Sequence, residues 1–254
     1  MSFAVSADAY DRFMGRYSAR LAPGLADFAG VSAGRVLDVG CGPGALTAEL
    51  VERLDPAAVS AVDPSESFCA ALRERHPGVS VQRGVAERLP FPDRAFAAAL
   101  AQLVVHFMDD PVAGLREMAR VTRPNGVVAA CVWDHAGGGG PLSLFWDAAR
   151  ELDPEVHDES QLAGAREGHL AELFRAAGLR DVEQAVLTAE VEHPSFEEWW
   201  EPFTLGVGPA GAYVAGLDEE PRAALRELCR ERLSAAPFSV TARAWAARGV
   251  VARG

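Results

Sequence analysis

The run Asp38-Val39-Gly40-Cys41-Gly42-Pro43-Gly44 carries the densest chemical signal in the chain. An apolar run, Arg35 to Val39, leads into it, and an amphipathic stretch, Ala45 to Leu54, follows. The glycines therefore sit where a strand hands over to a helix. Glycine at such a junction permits a sharp turn and lets a ligand reach the backbone without meeting a Cβ. In sheets of parallel strands, ligands bind at the carboxyl ends of the strands. The glycines fall as G-x-G-x-G, not as the G-x-G-x-x-G of dinucleotide sites, and Asp38 stands two places before Gly40. A carboxylate there repels a pyrophosphate and suits a cation. Asp63 ends the next apolar run, Ala58 to Asp63, and is placed to accept from both hydroxyls of a ribose. The competing reading is a cap for the helix that opens at Pro64-Ser65.

A ligand with a ribose, positive charge and no phosphate is S-adenosyl-L-methionine, which carries a sulfonium and an α-ammonium. The same two features speak against NAD. Methyl transfer from the sulfonium leaves S-adenosyl-L-homocysteine. It is an in-line displacement, so the protein has to align nucleophile, methyl and sulfur and exclude water. A hydroxyl or phenol acceptor gains from a general base, whereas a carbanion or neutral amine need not. His106, beside Phe107 and Met108 a few residues past the fourth strand, is the candidate base. The competing reading is a hydrogen-bonded loop histidine. His135, after Trp133-Asp134, is a second candidate, while His157, His169 and His193 read as surface or loop residues. Phe107 and Trp133, with the aromatic cluster Phe196, Trp199, Trp200 and Phe203, could line an apolar acceptor pocket. Aromatic residues at helical spacing also build cores.

These residues need a scaffold. After the first two strands, a helix runs from Pro64-Ser65 to about Arg75, stopped by His76-Pro77-Gly78, and Val79-Ser80-Val81 is a brief third strand. Consecutive βα units imply parallel strands joined by right-handed crossovers. Ala95 to Ala101 is the fourth strand, and Asp109-Asp110-Pro111 opens a helix with an acidic cap and an early proline. Pro124-Asn125-Gly126 is a turn, and Val127 to Trp133 a fifth strand. Gly137 to Gly140 is either a hinge or a plain connector. Leu170, Leu173, Phe174 and Ala177 mark a helix stopped by Gly178. Asp181 to Glu192 and Phe238 to Ala246 alternate as strands and are expected to be antiparallel neighbours. The fold class is α/β: a Rossmann-like, doubly wound sheet forming one domain over residues 1–254. Within it, 1–33 is an N-terminal helical cover, 34–193 and 236–254 form the core, and 194–235 is an inserted helical cap.

The bulk properties exclude several classes. The chain has 254 residues, 49% hydrophobic and 24% charged, as in ordinary soluble proteins. Its net charge of −12 repels polyphosphate, so nucleic acid and anionic membranes are not expected partners. Cys41, Cys69, Cys131 and Cys229 form no C-x-x-C pair, and no residue set has metal-ligand spacing, so no metal is expected. No run of about 20 apolar residues predicts a membrane span. Asp8, Asp11 and Arg12 occupy the place of a signal peptide's apolar region. The expectation is a reduced, cytoplasmic protein acting on a small-molecule acceptor; no pattern fixes an oligomeric state.

Val36 to Gly44 resembles motif I of the class I methyltransferases, and Ala61-Val62-Asp63-Pro64-Ser65 resembles motif II. With Gly84-Val85-Ala86-Glu87-Arg88-Leu89-Pro90-Phe91 and Arg120 to Gly126, the set is similar to the ubiquinone/menaquinone-type, or type 11, methyltransferase family. The four segments lie in order across roughly residues 35–133. The resemblance implies a seven-stranded sheet with one antiparallel strand. It implies that Gly40, Gly42 and Gly44 pack under the cofactor, with Asp38 toward its ammonium. Asp63 and Pro64 would lie at the ribose, Ala86 and Glu87 along the adenine edge, and Gln102 beside the methionine part. Tyr10 and Arg16, in the segment before the first strand, would approach the methionine carboxylate. One departure is Val85, where many members have an Asp that accepts from the adenine amino group; that contact is lost or supplied otherwise. The chain lacks the N-P-P-Y motif of enzymes that methylate nucleobases and protein amides, which weighs against those acceptors. A catalytically silent protein that binds the cofactor for regulation is the alternative function, and the cofactor motifs do not separate the two.

Overall fold

The computed structural model describes residues 6–233 and 235–253. Helix α1 (Ala7–Tyr10) runs through a π-helical turn (Asp11–Gly15) into α2 (Arg16–Ala29). Then follow β1 (Val36–Val39), α3 (Ala45–Arg53), β2 (Val59–Asp63), α4 (Glu66–Arg75), β3 (Ser80–Arg83) and β4 (Phe96–Gln102). Helix α5 (Pro111–Val121), β5 (Thr122–Trp133), α6 (Ser143–Leu152), α7 (His169–Ala176) and β6 (Arg180–His193) come next. Helices α8 (Phe196–Trp200), α9 (Gly208–Gly216) and α10 (Glu219–Arg232) precede the last strand, β7 (Phe238–Val250).

The strands form one seven-stranded sheet in the order β3-β2-β1-β4-β5-β7-β6. Strand β7 alone runs against its neighbours, pairing antiparallel with both β5 and β6. The central strands are buried on both faces, and their alternate residues feed two separate cores. Val36, Leu100, Ala129 and Cys131 point to the face covered by α2, α3 and the aromatic residues of α8. Leu37, Val39, Ala99, Val128 and Ala130 point to the face covered by α5 and α7. Among the described residues no helix is long and apolar enough to cross a membrane.

Two local features differ from expectation, and a third bears on a loop with two open readings. The Pro124-Asn125-Gly126 turn lies inside β5: the pairing with β4 jumps from Phe96↔Thr122 to Ala98↔Val127 across it. Asn125 takes a left-handed φ of 60°, and a Cβ on Gly126 would sit 2.6 Å from the Ala97 carbonyl oxygen, so the bulge needs both residues. Helix α6 is not expected from the sequence, and Leu142 at its N-cap makes no side-chain capping bond. The Gly137–Gly140 loop is tied down by Asp134, whose side chain is 0% exposed. Asp134 accepts from Gly137 N at 2.8 Å, Arg243 Nε at 2.8 Å and Trp245 Nε1 at 3.1 Å. Gly139 N also donates to the Asp134 carbonyl, and Arg243 N to the Gly139 carbonyl.

Breaking a buried charged hub leaves its donors unpaired. Asp134→Ala is expected to lower stability by about 2–4 kcal/mol in urea denaturation. A loss below about 0.5 kcal/mol, the range of a neutral surface change, would show that Asp134 does not hold this loop.

Candidate active site

The turn after β1 is held from behind by the neighbouring strand: Gly40 N and Cys41 N both donate to the Val62 carbonyl, at 2.7 and 3.1 Å. Gly40 has φ 68°, and a Cβ there would lie 2.4 Å from Val104 Cγ2. Gly42 has φ 53°, and no atom lies within 4 Å of where its Cβ would be, so its open side faces free space. That space is a cavity of about 530 Å³ at the carboxyl ends of β1, β2 and β4, within the size range of ordinary ligand sites. Tyr10, Gly40, Gly42, Asp63, Pro64, Ala86, Glu87 and Gln102 all line it. Asp38 lines a smaller recess that shares Tyr10, Gly40, Gly42 and Gln102 with the cavity.

Two expected contacts lie elsewhere. Gly44, φ 108°, starts α3 with its would-be Cβ 2.4 Å from Leu72 Cδ1, so it permits packing of α3 against α4 and does not face the cavity. Arg16 lines neither space; its guanidinium pairs with Glu198 and lies 3.1 Å from His193 Nδ1.

Two buried carboxyl groups set the electrostatics. Asp63 Oδ2 accepts from Gly42 N at 2.9 Å and Oδ1 from Ser65 N at 2.8 Å, so one side chain braces both the glycine turn and the turn that leads into α4. Burial nevertheless pushes its acidity to a higher pKa. Asp38, 1% exposed, accepts from Thr47 Oγ1 at 2.6 Å. Burial, reinforced by the Asp63 charge, pushes Asp38 up to about 7, against the Thr47 bond that lowers it. Gln102 donates to the Ser18 carbonyl at 3.0 Å, while its buried Oε1 has no partner. Tyr10, pushed up to about 12 by burial, keeps its phenol protonated. Val85, 43% exposed, puts an apolar side chain on the cavity wall between Gly84 and Ala86.

Tyr10, Leu103 and Phe107 divide the large cavity from a second, apolar chamber of about 40 Å³. Leu103, straight after β4, is held at φ 61°, an uncommon conformation for a bulky side chain that marks a constrained position. His106, Trp133 and His135 line the chamber with Phe13, Met14, Leu142 and Glu159. Val207 to Ala210, at the start of α9, close it. His106 is buried, and its Nδ1 has no partner. Burial, with His135 adding to it, holds the His106 imidazole neutral well below the usual histidine range.

Trp199, Trp200 and Phe203 line neither the cavity nor the chamber. They stack on one another and on Phe145 and Phe196, with ring centroids 4.5 to 6.5 Å apart. The acceptor role expected of them gives way to a core role, because mutual burial satisfies the whole cluster. The chamber walls Leu142, Glu159 and Val207–Ala210 carry no local sequence signal. The positive φ of Leu103 is likewise invisible in the residue type.

Residues 37–130 match the model of a family described as a methyltransferase domain. The chain is 34% identical over 151 residues to 2-methyl-6-phytyl-1,4-hydroquinone methyltransferase 2, chloroplastic, of Oryza sativa subsp. japonica, covering 58% of this chain and 39% of that one. It is 31% identical over 174 residues to malonyl-[acyl-carrier protein] O-methyltransferase of Halorhodospira halophila, covering 67% and 52%. The chain thus spans about half the length of the curated relatives it matches. A solved S-adenosylmethionine-dependent methyltransferase of Thermotoga maritima superposes with a TM-score of 0.56 at 19% identity, covering 96% of this chain and 98% of that one, a likeness of fold. The glycine turn, the two acids and this match agree: residues 37–130 of the chain are similar to the methyltransferase domain family, within a fold shared with a solved S-adenosylmethionine-dependent methyltransferase.

Proposed function

We propose that the chain binds S-adenosyl-L-methionine in the large cavity and transfers its methyl group to a small, partly apolar acceptor whose reacting group alone enters the chamber at His106, a space of about 40 Å³ that is smaller than a whole ligand. One observation carries the reading. A cavity of ligand size, edged by the buried Asp63 carboxyl and adjoined by the recess that holds the buried Asp38, lies beside an apolar chamber that holds a neutral histidine. The whole chain is read as one such domain, with residues 194–235 as its inserted cap.

In this reading the ribose hydroxyls donate to Asp63, which keeps free lone pairs beside its two backbone donors. The methionine part lies along Gly40, Gly42, Tyr10 and Gln102, where the unpartnered Gln102 Oε1 offers an acceptor to the ammonium. Asp38 supplies negative charge from the adjoining recess. Glu66, Glu87 and Asp109 also line the cavity; Glu66 is paired with Arg73, which leaves Glu87 and Asp109 as the acids available to the adenine amino group where Val85 replaces an Asp. The cofactor supplies an electrophilic methyl. Tyr10, Leu103 and Phe107 exclude water and set the line between sulfur and acceptor. His106, neutral and buried, takes the acceptor's proton.

Calorimetric titration of S-adenosylmethionine, S-adenosylhomocysteine and NAD checks the cofactor. The first two are expected to bind and NAD not, with Asp63→Ala weakening both at least tenfold. Preference for NAD, or no binding at all, would sink the reading. A second measurement concerns pH. A cation near Asp38 favours its charged form, which becomes available as pH rises through about 7. S-adenosylmethionine should therefore bind severalfold more tightly at about pH 8 than at about pH 6, and Asp38→Asn should flatten that dependence. An unchanged slope in the variant would remove Asp38 from the site. In the free protein the same group works in the opposite sense. Its raised pKa gives stability that is present at low pH and lost as pH climbs from about 4 to about 7.

A further inference from the structure

His135 and Glu159 are shared by two separate spaces. Both line the chamber that holds His106, and both line an outer cavity of about 340 Å³ edged by Gly137, Ser143, Arg150 and Asp158. They form the partition between the two. His106 and His135 meet edge to face, with ring centroids 5.9 Å apart and planes at 81°. His135 Nε2 stands 3.9 Å from Glu159 Oε1, just outside hydrogen-bond range. The other carboxyl oxygen of Glu159 accepts from Trp146 Nε1 at 2.9 Å, which fixes the group in place. The side chains of His135 and Glu159 are 4% and 5% exposed.

Buried polar atoms without partners are rare and call for an explanation. Two occur on this line, His106 Nδ1 and His135 Nε2. Burial keeps both rings neutral, His106 with His135 as an added cause, and His135 against the opposing pull of Glu159, Asp158 and Asp134. Neutral imidazoles can each accept a proton at one nitrogen and release one from the other. Of the acids facing His135, Asp134 is paired with Arg243 and Asp158 with Arg150, which leaves the Glu159 carboxyl as the acid without a guanidinium partner.

We propose that His106, His135 and Glu159 form a proton relay from the chamber to the outer cavity, with His135 and Glu159 as positioning residues that act through His106. The proposal rests on the chamber being the acceptor site. It equips that site for an acceptor whose nucleophilic atom arrives protonated, a hydroxyl on an apolar body. The oxygen's electron pair forms the bond to the methyl carbon, and the carbon–sulfur pair returns to sulfur. The hydroxyl proton goes to His106, then through a bridging water between the unpartnered His106 Nδ1 and His135 Nε2 to His135, and past Glu159 by water to solvent. The products are the methyl ether, S-adenosylhomocysteine and one proton.

Imidazole nitrogen NMR of the free protein, between about pH 5 and pH 8, tests the relay without cofactor or acceptor. Signals are assigned with His106→Gln and His135→Gln. Glu159→Gln keeps an oxygen for Trp146 and removes the acid. In that variant the His135 midpoint is expected to fall further, and the His106 ring, which Glu159 does not touch, to change its tautomer balance. Glu159→Asp should restore part of both effects. If Glu159 only anchors Trp146, the His106 signals of Glu159→Gln will superimpose on the parent's, and that result overturns the relay. Thermal melting of each variant separates loss of coupling from loss of fold. Failure of S-adenosylmethionine to bind is a separate outcome, read by calorimetry, and leaves the NMR result standing.

Discussion

The carboxyl group of Asp63 is held by two loops at once. One oxygen accepts from Gly42 in the turn after β1, and the other accepts from Ser65 at the start of α4. Because β1 and β2 are hydrogen-bonded neighbours in register, this bond pair locks the ends of two strands to the two segments that leave them. The Val62 carbonyl adds to the lock by accepting from Gly40 and Cys41. A glycine-rich turn has more conformational freedom than any other segment of this length. Here that freedom is removed before any ligand arrives, so a ligand meets a formed surface and does not bear the cost of ordering it.

The two acids at this surface lack a compensating cation. Asp38 is met by a hydroxyl and Asp63 by backbone N–H groups; burial raises the pKa of both, and the Asp63 charge adds to the rise at Asp38. A buried charge without an opposite charge is costly. Titratable groups displaced in this way cluster at functional sites. A ligand that brings positive charge relieves the cost, whereas a dinucleotide would add to it. The glycine spacing and the electrostatics thus favour the same kind of ligand for independent reasons.

The central sheet was legible in the sequence because strands buried on both faces read as unbroken apolar runs ending in Gly40 or Asp63. The last two strands were legible from alternation, since β6 is a half-exposed edge. The N-cap of α4 is Ser65, not Asp63; the Asp63 side chain accepts from Ser65 N just before the helix, and it lines the cavity. Other features depend on contacts distant in sequence. Arg16 is claimed by Glu198 and His193, and nothing near Arg16 announces either. The Trp199, Trp200 and Phe203 cluster has the same spacing whether it faces a ligand or Phe145. Glu159 sits in an irregular segment between α6 and α7, and only the folded chain brings it beside His135.

The chamber around His106 has a mixed ancestry. Leu103, His106 and Phe107 belong to the segment that matches the methyltransferase family, residues 37–130. Phe13 and Met14 come from before it, and Trp133, His135, Leu142, Glu159 and Val207 to Ala210 from after it. The large cavity is the reverse: apart from Tyr10, every residue that lines it lies inside the matched segment. The two halves of the site can therefore diversify at different rates. Substitutions in the helical cover and at the start of α9 would reshape the chamber while leaving the glycine turn and its acids untouched, so one wall of this scaffold can be exchanged without disturbing the other.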